Sequence, residues 1–153
     1  MAPALHSTTG MLTRLRTGFL PLVARLFIVA EFLVALNGKL QGWQSQADYM
    51  TAKGMGHVTF FLAAAAAIEA LGSLALIVGY RASAAATMLF VYLGIVSYRL
   101  HGFWRLSGMA AGANMTEFFK NLGMMGGLLM IAVYGPGTWS LDRWWRRRRP
   151  VTT

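Results

Sequence analysis

Residues 58–80, VTFFLAAAAAIEALGSLALIVGY, are apolar over a length that can cross a lipid bilayer, apart from one carboxylate, Glu69, near the middle. About 20 consecutive apolar residues span the hydrocarbon core. A charged side chain at the centre of a membrane helix costs about 3 kcal/mol on insertion scales. The rest of the chain is therefore expected to supply Glu69 with a proton, a partner or water.

The composition of the whole chain is typical of an integral membrane protein. Of its 153 residues, 56% are hydrophobic and 12% are charged, and the mean hydropathy of +0.50 is too high for an ordinary soluble domain of this length. The absence of cysteine excludes disulfides, thiolate metal sites and iron–sulfur clusters. Haem held by two histidines is not expected, because His57 and His101 both fall at a predicted membrane boundary, and no metal site is expected either.

Run length predicts four membrane segments, at residues 19–36, 58–80, 82–100 and 114–134. The turn at residues 79–81 leads directly from the second segment into the third, which predicts a tight helical hairpin. Residues 37–56 are a polar connection that has room for a short interfacial helix. The predicted fold is all-α: a single membrane domain over residues 1–153, built as an integral membrane four-helix bundle.

The positions of the basic residues predict that both termini are cytoplasmic. Arg14, Arg16 and Arg81 fall on the same side as the basic tail, residues 139–153, whereas Lys39, Lys53 and Arg105 fall on the other side. The residues predicted to anchor the tail to anionic lipids and to fix the topology are Trp144, Trp145, Arg146, Arg147, Arg148 and Arg149. The net charge of +9 does not predict nucleic-acid binding, because the cations cluster at segment ends.

With this topology, several polar side chains gather in the outer half of the bundle. Glu31 lies in the outer half of the first segment, His101 follows the third, and Lys120 and Asn121 lie near the start of the fourth, while Glu69 lies deeper. Ionisable residues inside membrane segments often mark ligand sites or proton paths. These five residues are the candidates for a binding and proton-transfer site.

Structural roles compete with these functional ones. Arg25 and Glu69 are candidates for a structural ion pair. Glu117 follows Asn114 by three residues, as in a helix-capping box. Lys120 could extend to the membrane surface, and His101 could be an ordinary interfacial side chain. The residues alone leave these alternatives open.

Five sequence motifs, taken together, resemble the DoxX family of small bacterial four-helix membrane proteins. They are NGK after the first segment, the Glu-centred second segment ending in VGYR, HGFW after the third, FFKNLGMMGGLL in the fourth, and the closing YGPGTWSLD. The resemblance covers residues 25–142. It implies the bacterial cytoplasmic (inner) membrane, and an association with quinone-linked oxidoreductase complexes such as thiosulfate:quinone oxidoreductase.

Two functional hypotheses follow from the residues and the resemblance. In the first, the chain is the membrane subunit of a quinone-linked oxidoreductase complex. His101, Lys120 and Asn121 would donate hydrogen bonds to a quinone, Glu31 and Glu69 would pass protons, and a partner would supply the electrons. In the second, the chain is a non-catalytic accessory subunit that stabilises a larger respiratory membrane complex, and its ionisable residues are internal ion pairs. Other membrane subunits, or further copies of the chain, are the expected partners; a small transporter is less favoured because the four helices are short.

Overall fold

The computed structural model describes residues 10–148, and the regular structure of this part of the chain is entirely helical. Its α-helices are α1 (Leu20–Gln41), α2 (Trp43–Ala52), α3 (Val58–Val78), α4 (Ala82–Leu100), α5 (Gly108–Tyr134) and α6 (Leu141–Arg148). A π-helical segment, Leu15–Phe19, leads into α1, and a short 3₁₀ helix, Phe103–Arg105, lies between α4 and α5. The predicted all-α class is confirmed for the described residues.

Three helical stretches have the length and hydropathy of membrane spans: Gly10–Gln41, Val58–Val78 and Ala82–Arg105. The α5 helix has 27 residues but is not among them, because polar residues such as Glu117 and Lys120 lower the hydropathy of its first half. Helix α1 continues beyond residue 36, where the first predicted segment ends, and α5 begins before residue 114. Run length detects only the apolar part of a helix.

The four long helices pack around one apolar core. Helix α1 packs against α3 and α5, and α4 packs against α3 and α5. The side chains at the centre of this core are almost fully buried and come from all four helices: Val29 and Phe32, Leu76, Leu89 and Leu93, and Leu128. The core therefore holds the polar side chains of these helices in fixed positions relative to one another.

The molecule has two distinct ends. The α2 end carries α2 and the 3₁₀ helix, and the Tyr49 hydroxyl there donates a hydrogen bond to the carbonyl oxygen of Leu100 at 3.1 Å. The α6 end carries the α3–α4 turn, the N-terminal part of the first helix and α6.

The closing motif YGPGTWSLD ties the α6 end together. The Asp142 carboxylate accepts hydrogen bonds from the backbone N–H groups of Arg81 at 2.8 Å and Ala82 at 3.0 Å, and so caps the start of α4. The Thr138 N–H donates to the carbonyl oxygen of Thr17 at 2.6 Å. One short motif thus connects the π-helical segment before α1, the α3–α4 turn and α6.

Arg25 is completely buried at the α6 end. Its guanidinium donates to the carbonyl oxygens of Leu76 at 2.9 Å and Trp139 at 2.6 Å. The Leu76 carbonyl is in the last turn of α3, where helical carbonyls lack intrahelical partners and a cation is favourable. The predicted ion pair between Arg25 and Glu69 is not formed, because Glu69 lies two turns away from Leu76 along α3, about 10 Å.

Candidate functional site

A cavity of about 150 Å³ lies among α1, α3, α4 and α5, towards the α2 end, and we call it the polar cavity. All five side chains proposed from the sequence as a site line it: Glu31, Glu69, His101, Lys120 and Asn121. They come from three different helices and from the residue that follows α4. The structure therefore brings together residues that are up to 90 positions apart in the chain (31 to 121).

Glu69, which is 2% exposed, has its charge balanced by Lys39. The Lys39 ammonium lies 2.8 Å from Oε1 and 3.0 Å from Oε2 of Glu69, and the Tyr92 hydroxyl donates to Oε1 at 2.6 Å. The partner that the membrane setting requires for Glu69 is therefore an ammonium group on α1, with a phenol on α4 completing the contact.

Sequence reasoning missed Lys39 because the first segment was predicted to end at residue 36. Helix α1 continues to Gln41, so Glu31, Ala35 and Lys39 follow one another at intervals of four residues along one face of it. All three line the polar cavity. This spacing was the signal that could have identified Lys39.

Tyr92 was also missed, although a phenol hydroxyl buried in the middle of an apolar helix usually needs a hydrogen-bond partner. Tyr49, in the connection after the first predicted segment, was not proposed for the site either. In the structure both tyrosines line the polar cavity, and the Lys53 ammonium lies 5.3 Å from the centre of the Tyr49 ring.

Lys120 joins two carboxylates beside the polar cavity. Its ammonium lies 2.7 Å from Glu31 on α1 and 2.7 Å from Glu117 on α5. These three side chains are each about 40% exposed, so this cluster is the more exposed part of the site. The suggested capping box is not formed, because α5 begins at Gly108, before Asn114.

His101 and Asn121 complete the polar lining. The His101 Nδ1 atom lies 3.4 Å from the amide oxygen of Asn114, and Asn121 is 5% exposed. The HGFW turn that contains His101 is held by edge-to-face aromatic contacts: the rings of Phe103 and Trp104 each lie 5.6 Å from the ring of Phe118 on α5. The aromatic contacts fix the α4–α5 connection next to His101.

The polar cavity offers both charged and apolar surfaces. Three carboxylates, Glu31, Glu69 and Glu117, face two ammonium groups, Lys39 and Lys120, so acids outnumber lysines by one. Phe32, Leu93, Val96 and Met124 supply apolar wall. A cavity of about 150 Å³ accepts a single benzene-sized ring, and lysine, tyrosine, histidine and asparagine can all donate hydrogen bonds to its substituents.

Among residues 10–148 there is no group of three or more histidine, aspartate or glutamate side chains placed to hold a metal ion. The ammonium, imidazole, amide and phenol donors and the carboxylates that line the polar cavity suit it to an organic ligand with acceptor groups, or to proton movement between carboxylates.

The residues predicted as lipid anchors lie on α6, at the opposite end from the polar cavity. Trp144 and Trp145 are about half exposed, and the Arg148 guanidinium lies 3.9 Å from the centre of the Trp144 ring. Arg146 and Arg147 are exposed, and Arg149 lies outside the described residues. Lipid anchoring by this helix stays a prediction.

Comparison with family models matches residues 20–102 to the DoxX family and residues 66–147 to the SURF4 family. Two similar proteins are known from Escherichia coli (strain K12). Inner membrane protein YphA is 29% identical over 122 residues, which cover 80% of this chain and 87% of YphA. Inner membrane protein YqjF is 34% identical over 122 residues, which cover 80% of this chain and 88% of YqjF. No solved structure matches the chain.

Proposed function

Because the chain belongs to the DoxX family and is an inner membrane protein, we propose that it is the membrane subunit of a quinone-linked oxidoreductase complex. The polar cavity is its quinone and proton site. The single observation that carries this proposal is the convergence of Glu31, Glu69, His101, Lys120 and Asn121 on one ring-sized cavity.

The proposed setting is a four-helix membrane bundle formed by α1, α3, α4 and α5, with both termini in the cytoplasm. Basic residues support this orientation, because the α6 end carries Arg81, Arg143 and Arg146 to Arg148, whereas fewer, such as Lys53 and Arg105, lie at the α2 end. The polar cavity then lies in the periplasmic half of the bilayer, open to quinones that diffuse in the membrane.

The lining residues fit a quinone ring. A bound quinone would accept two electrons and two protons. Lys120, His101 and Asn121 can donate hydrogen bonds to its two carbonyl oxygens. Glu31 and Glu117, which are partly exposed beside Lys120, are placed to relay protons from water, and Glu69 is placed to hold one deeper inside. Since the chain has no thiolate, the electrons are proposed to come from a partner subunit.

The test is the binding of a short-chain quinone analogue to the full-length protein in detergent. A variant carrying His101→Ala and Lys120→Ala is compared with a control carrying Lys53→Ala and His57→Ala, which removes the same two residue types at the same end but outside the cavity lining. We expect the cavity variant to lower the affinity by about tenfold, because two donors are lost, and the control to stay within about twofold. Equal affinity of the cavity variant and the wild type would rule out this site.

A second candidate function is that of a non-catalytic accessory subunit that stabilises a larger respiratory membrane complex. The observation in its favour is that the polar side chains already satisfy one another: Lys39 pairs with Glu69, and Lys120 with Glu31. Deletion of the chain would then weaken the assembly of the complex, whereas single substitutions at Lys120 or His101 would leave turnover intact. Loss of turnover in an assembled complex would favour the quinone site instead.

A further inference from the structure

A second cavity, of about 400 Å³, lies at the α6 end, and we call it the basic cavity. Its volume is within the range of about 300–1,000 Å³ that is usual for ligand pockets. Its lining includes Thr17, Pro21, Ser140, Asp142, Arg143 and Arg146. It shares no residue with the polar cavity, so it is independent of the proposed quinone site.

The walls of the basic cavity are fixed by hydrogen bonds and close packing. The Ser140 hydroxyl donates to the carbonyl oxygen of Gly137 at 2.8 Å and accepts from the Arg143 N–H at 3.3 Å. Gly137 has φ +84°, and a Cβ there would lie 2.7 Å from the Cβ of Pro21. The loop between α5 and α6 is therefore held against the first helix, and the cavity is part of the folded structure.

The charge of the basic cavity is positive. Arg143 and Arg146 are three residues apart on α6 and so share one face, and neither forms an ion pair with a carboxylate of residues 10–148. Asp142 also lines the cavity, but its two oxygens accept hydrogen bonds from the N–H groups of Arg81 and Ala82. Two guanidinium groups are thus available for an anion, and guanidinium binds phosphate oxygens through paired hydrogen bonds.

We propose that the basic cavity binds the phosphate group of an anionic phospholipid. The surroundings indicate a lipid, because Trp139, Trp144 and Trp145 lie on the same loop and helix and are each about half exposed, as is typical of tryptophans at the membrane–water interface. Basic pockets between the ends of membrane helices bind the headgroups of anionic lipids. This is a defined site, which differs from the diffuse attraction of an arginine-rich tail to a charged membrane.

The experiment titrates the full-length protein in detergent with phosphatidylglycerol and, separately, with phosphatidylcholine, and counts bound lipids by native mass spectrometry. A variant carrying Arg143→Gln and Arg146→Gln is compared with a control carrying Arg147→Gln and Arg148→Gln. The control removes the same charge from the same helix but outside the cavity lining. We expect the first variant to bind phosphatidylglycerol about tenfold more weakly than the control does, because two charge-assisted contacts are lost.

Equal loss of binding in the two variants would overturn the proposal, since diffuse charge would then be the whole attraction. Equal binding of phosphatidylcholine and phosphatidylglycerol by the wild type would overturn it as well. Inorganic phosphate is the competitor that distinguishes the two sources of phosphate: displacement of the lipid by equimolar inorganic phosphate would make this a site for a soluble anion. The four arginines are exposed, and thermal unfolding of each variant verifies that it is folded.

Discussion

Glu69 is held inside the protein by the Lys39 ammonium and the Tyr92 hydroxyl. The Lys39 side chain is 16% exposed and that of Glu69 is 3% exposed, so both charges are largely removed from water. Breaking such a pair by removing one partner is costly, because the other charge stays buried without compensation. The pair therefore keeps each of these two charges compensated inside the protein.

We expect Glu69→Gln to lower the free energy of unfolding by roughly 3 kcal/mol, because it leaves the Lys39 ammonium without its carboxylate. Adding Lys39→Gln to this variant should restore part of the loss. The measurement is chemical denaturation in detergent, followed by circular dichroism. The control is Asp48→Asn, which neutralises an exposed carboxylate that accepts a hydrogen bond from Gln44. Equal stability of the Glu69→Gln and Asp48→Asn variants would show that the Lys39–Glu69 pair does not stabilise the fold.

The sequence predicted that Glu69 needs a partner but indicated the wrong one. Arg25 was considered because both residues lie within apolar segments, and depth was judged from the limits of those segments. Lys39 was placed outside the membrane for the same reason. The actual pairing depends on the register of α1 against α3, which is set by the packing of side chains such as Phe32 and Leu76 in the core. Hydropathy carries no information on that register.

The helices themselves were more predictable than their pairings. The predicted third segment coincides with α4, and the predicted second segment starts with α3 and ends two residues after it, because the apolar runs stop at a turn with two left-handed residues, Gly79 and Arg81. The suggested short helix in the connection after the first segment is present as Trp43–Ala52. The predicted segment ends were wrong where a helix continues into polar sequence, as at the end of α1 and the start of α5. Backbone hydrogen bonding in a helix does not require apolar side chains.

The α3–α4 turn gives a direct test of how closely the α6 end is packed. Gly79 has φ +68°, and a Cβ there would lie 2.5 Å from the Cβ of Ser140 and 2.6 Å from Nη1 of Arg25. Gly54 has a similar φ of +76°, but a Cβ there meets nothing within 4 Å. Substituting alanine at either position imposes the same left-handed strain of about 1–2 kcal/mol. Only Gly79→Ala also displaces Ser140 and Arg25.

We therefore expect Gly79→Ala to destabilise the protein by about 1–3 kcal/mol more than Gly54→Ala does, the usual cost of overpacking. Chemical denaturation of both variants under one set of conditions gives this difference directly. The same loss of stability in both variants would show that Ser140 and Arg25 do not pack against Gly79 as described.

The molecule as a whole keeps its two candidate sites at opposite ends of one core. The polar cavity faces the α2 end, and the basic cavity lies where the YGPGTWSLD motif joins the first helix to α6. The resemblance identified that motif, yet its structural role was not predictable. Asp142 binds the backbone at Arg81 and Ala82, about 60 residues earlier, and such long-range contacts leave no local pattern in a single sequence. The convergence of the polar side chains was predictable, because neighbouring helices that alternate in direction bring side chains at the same membrane depth close together.

The proposed orientation places Ser45 and Ser107, at the α2 end, in the periplasm and Arg147, on α6, in the cytoplasm. Since the chain has no cysteine, Ser45→Cys, Ser107→Cys and Arg147→Cys each introduce a single thiol, and all three positions are exposed. We expect a membrane-impermeant maleimide to label the Ser45 and Ser107 variants in intact cells, and the Arg147 variant only after permeabilisation. The reason is that the larger number of arginines at the α6 end favours the cytoplasm.

The comparison of Ser107 with Arg147 also tests whether α5 crosses the bilayer. Labelling of both positions from one side would mean that α5 does not cross. Labelling of Arg147→Cys alone in intact cells would mean that the protein has the opposite orientation. The polar cavity would then lie in the cytoplasmic half of the bilayer, out of reach of a periplasmic proton supply.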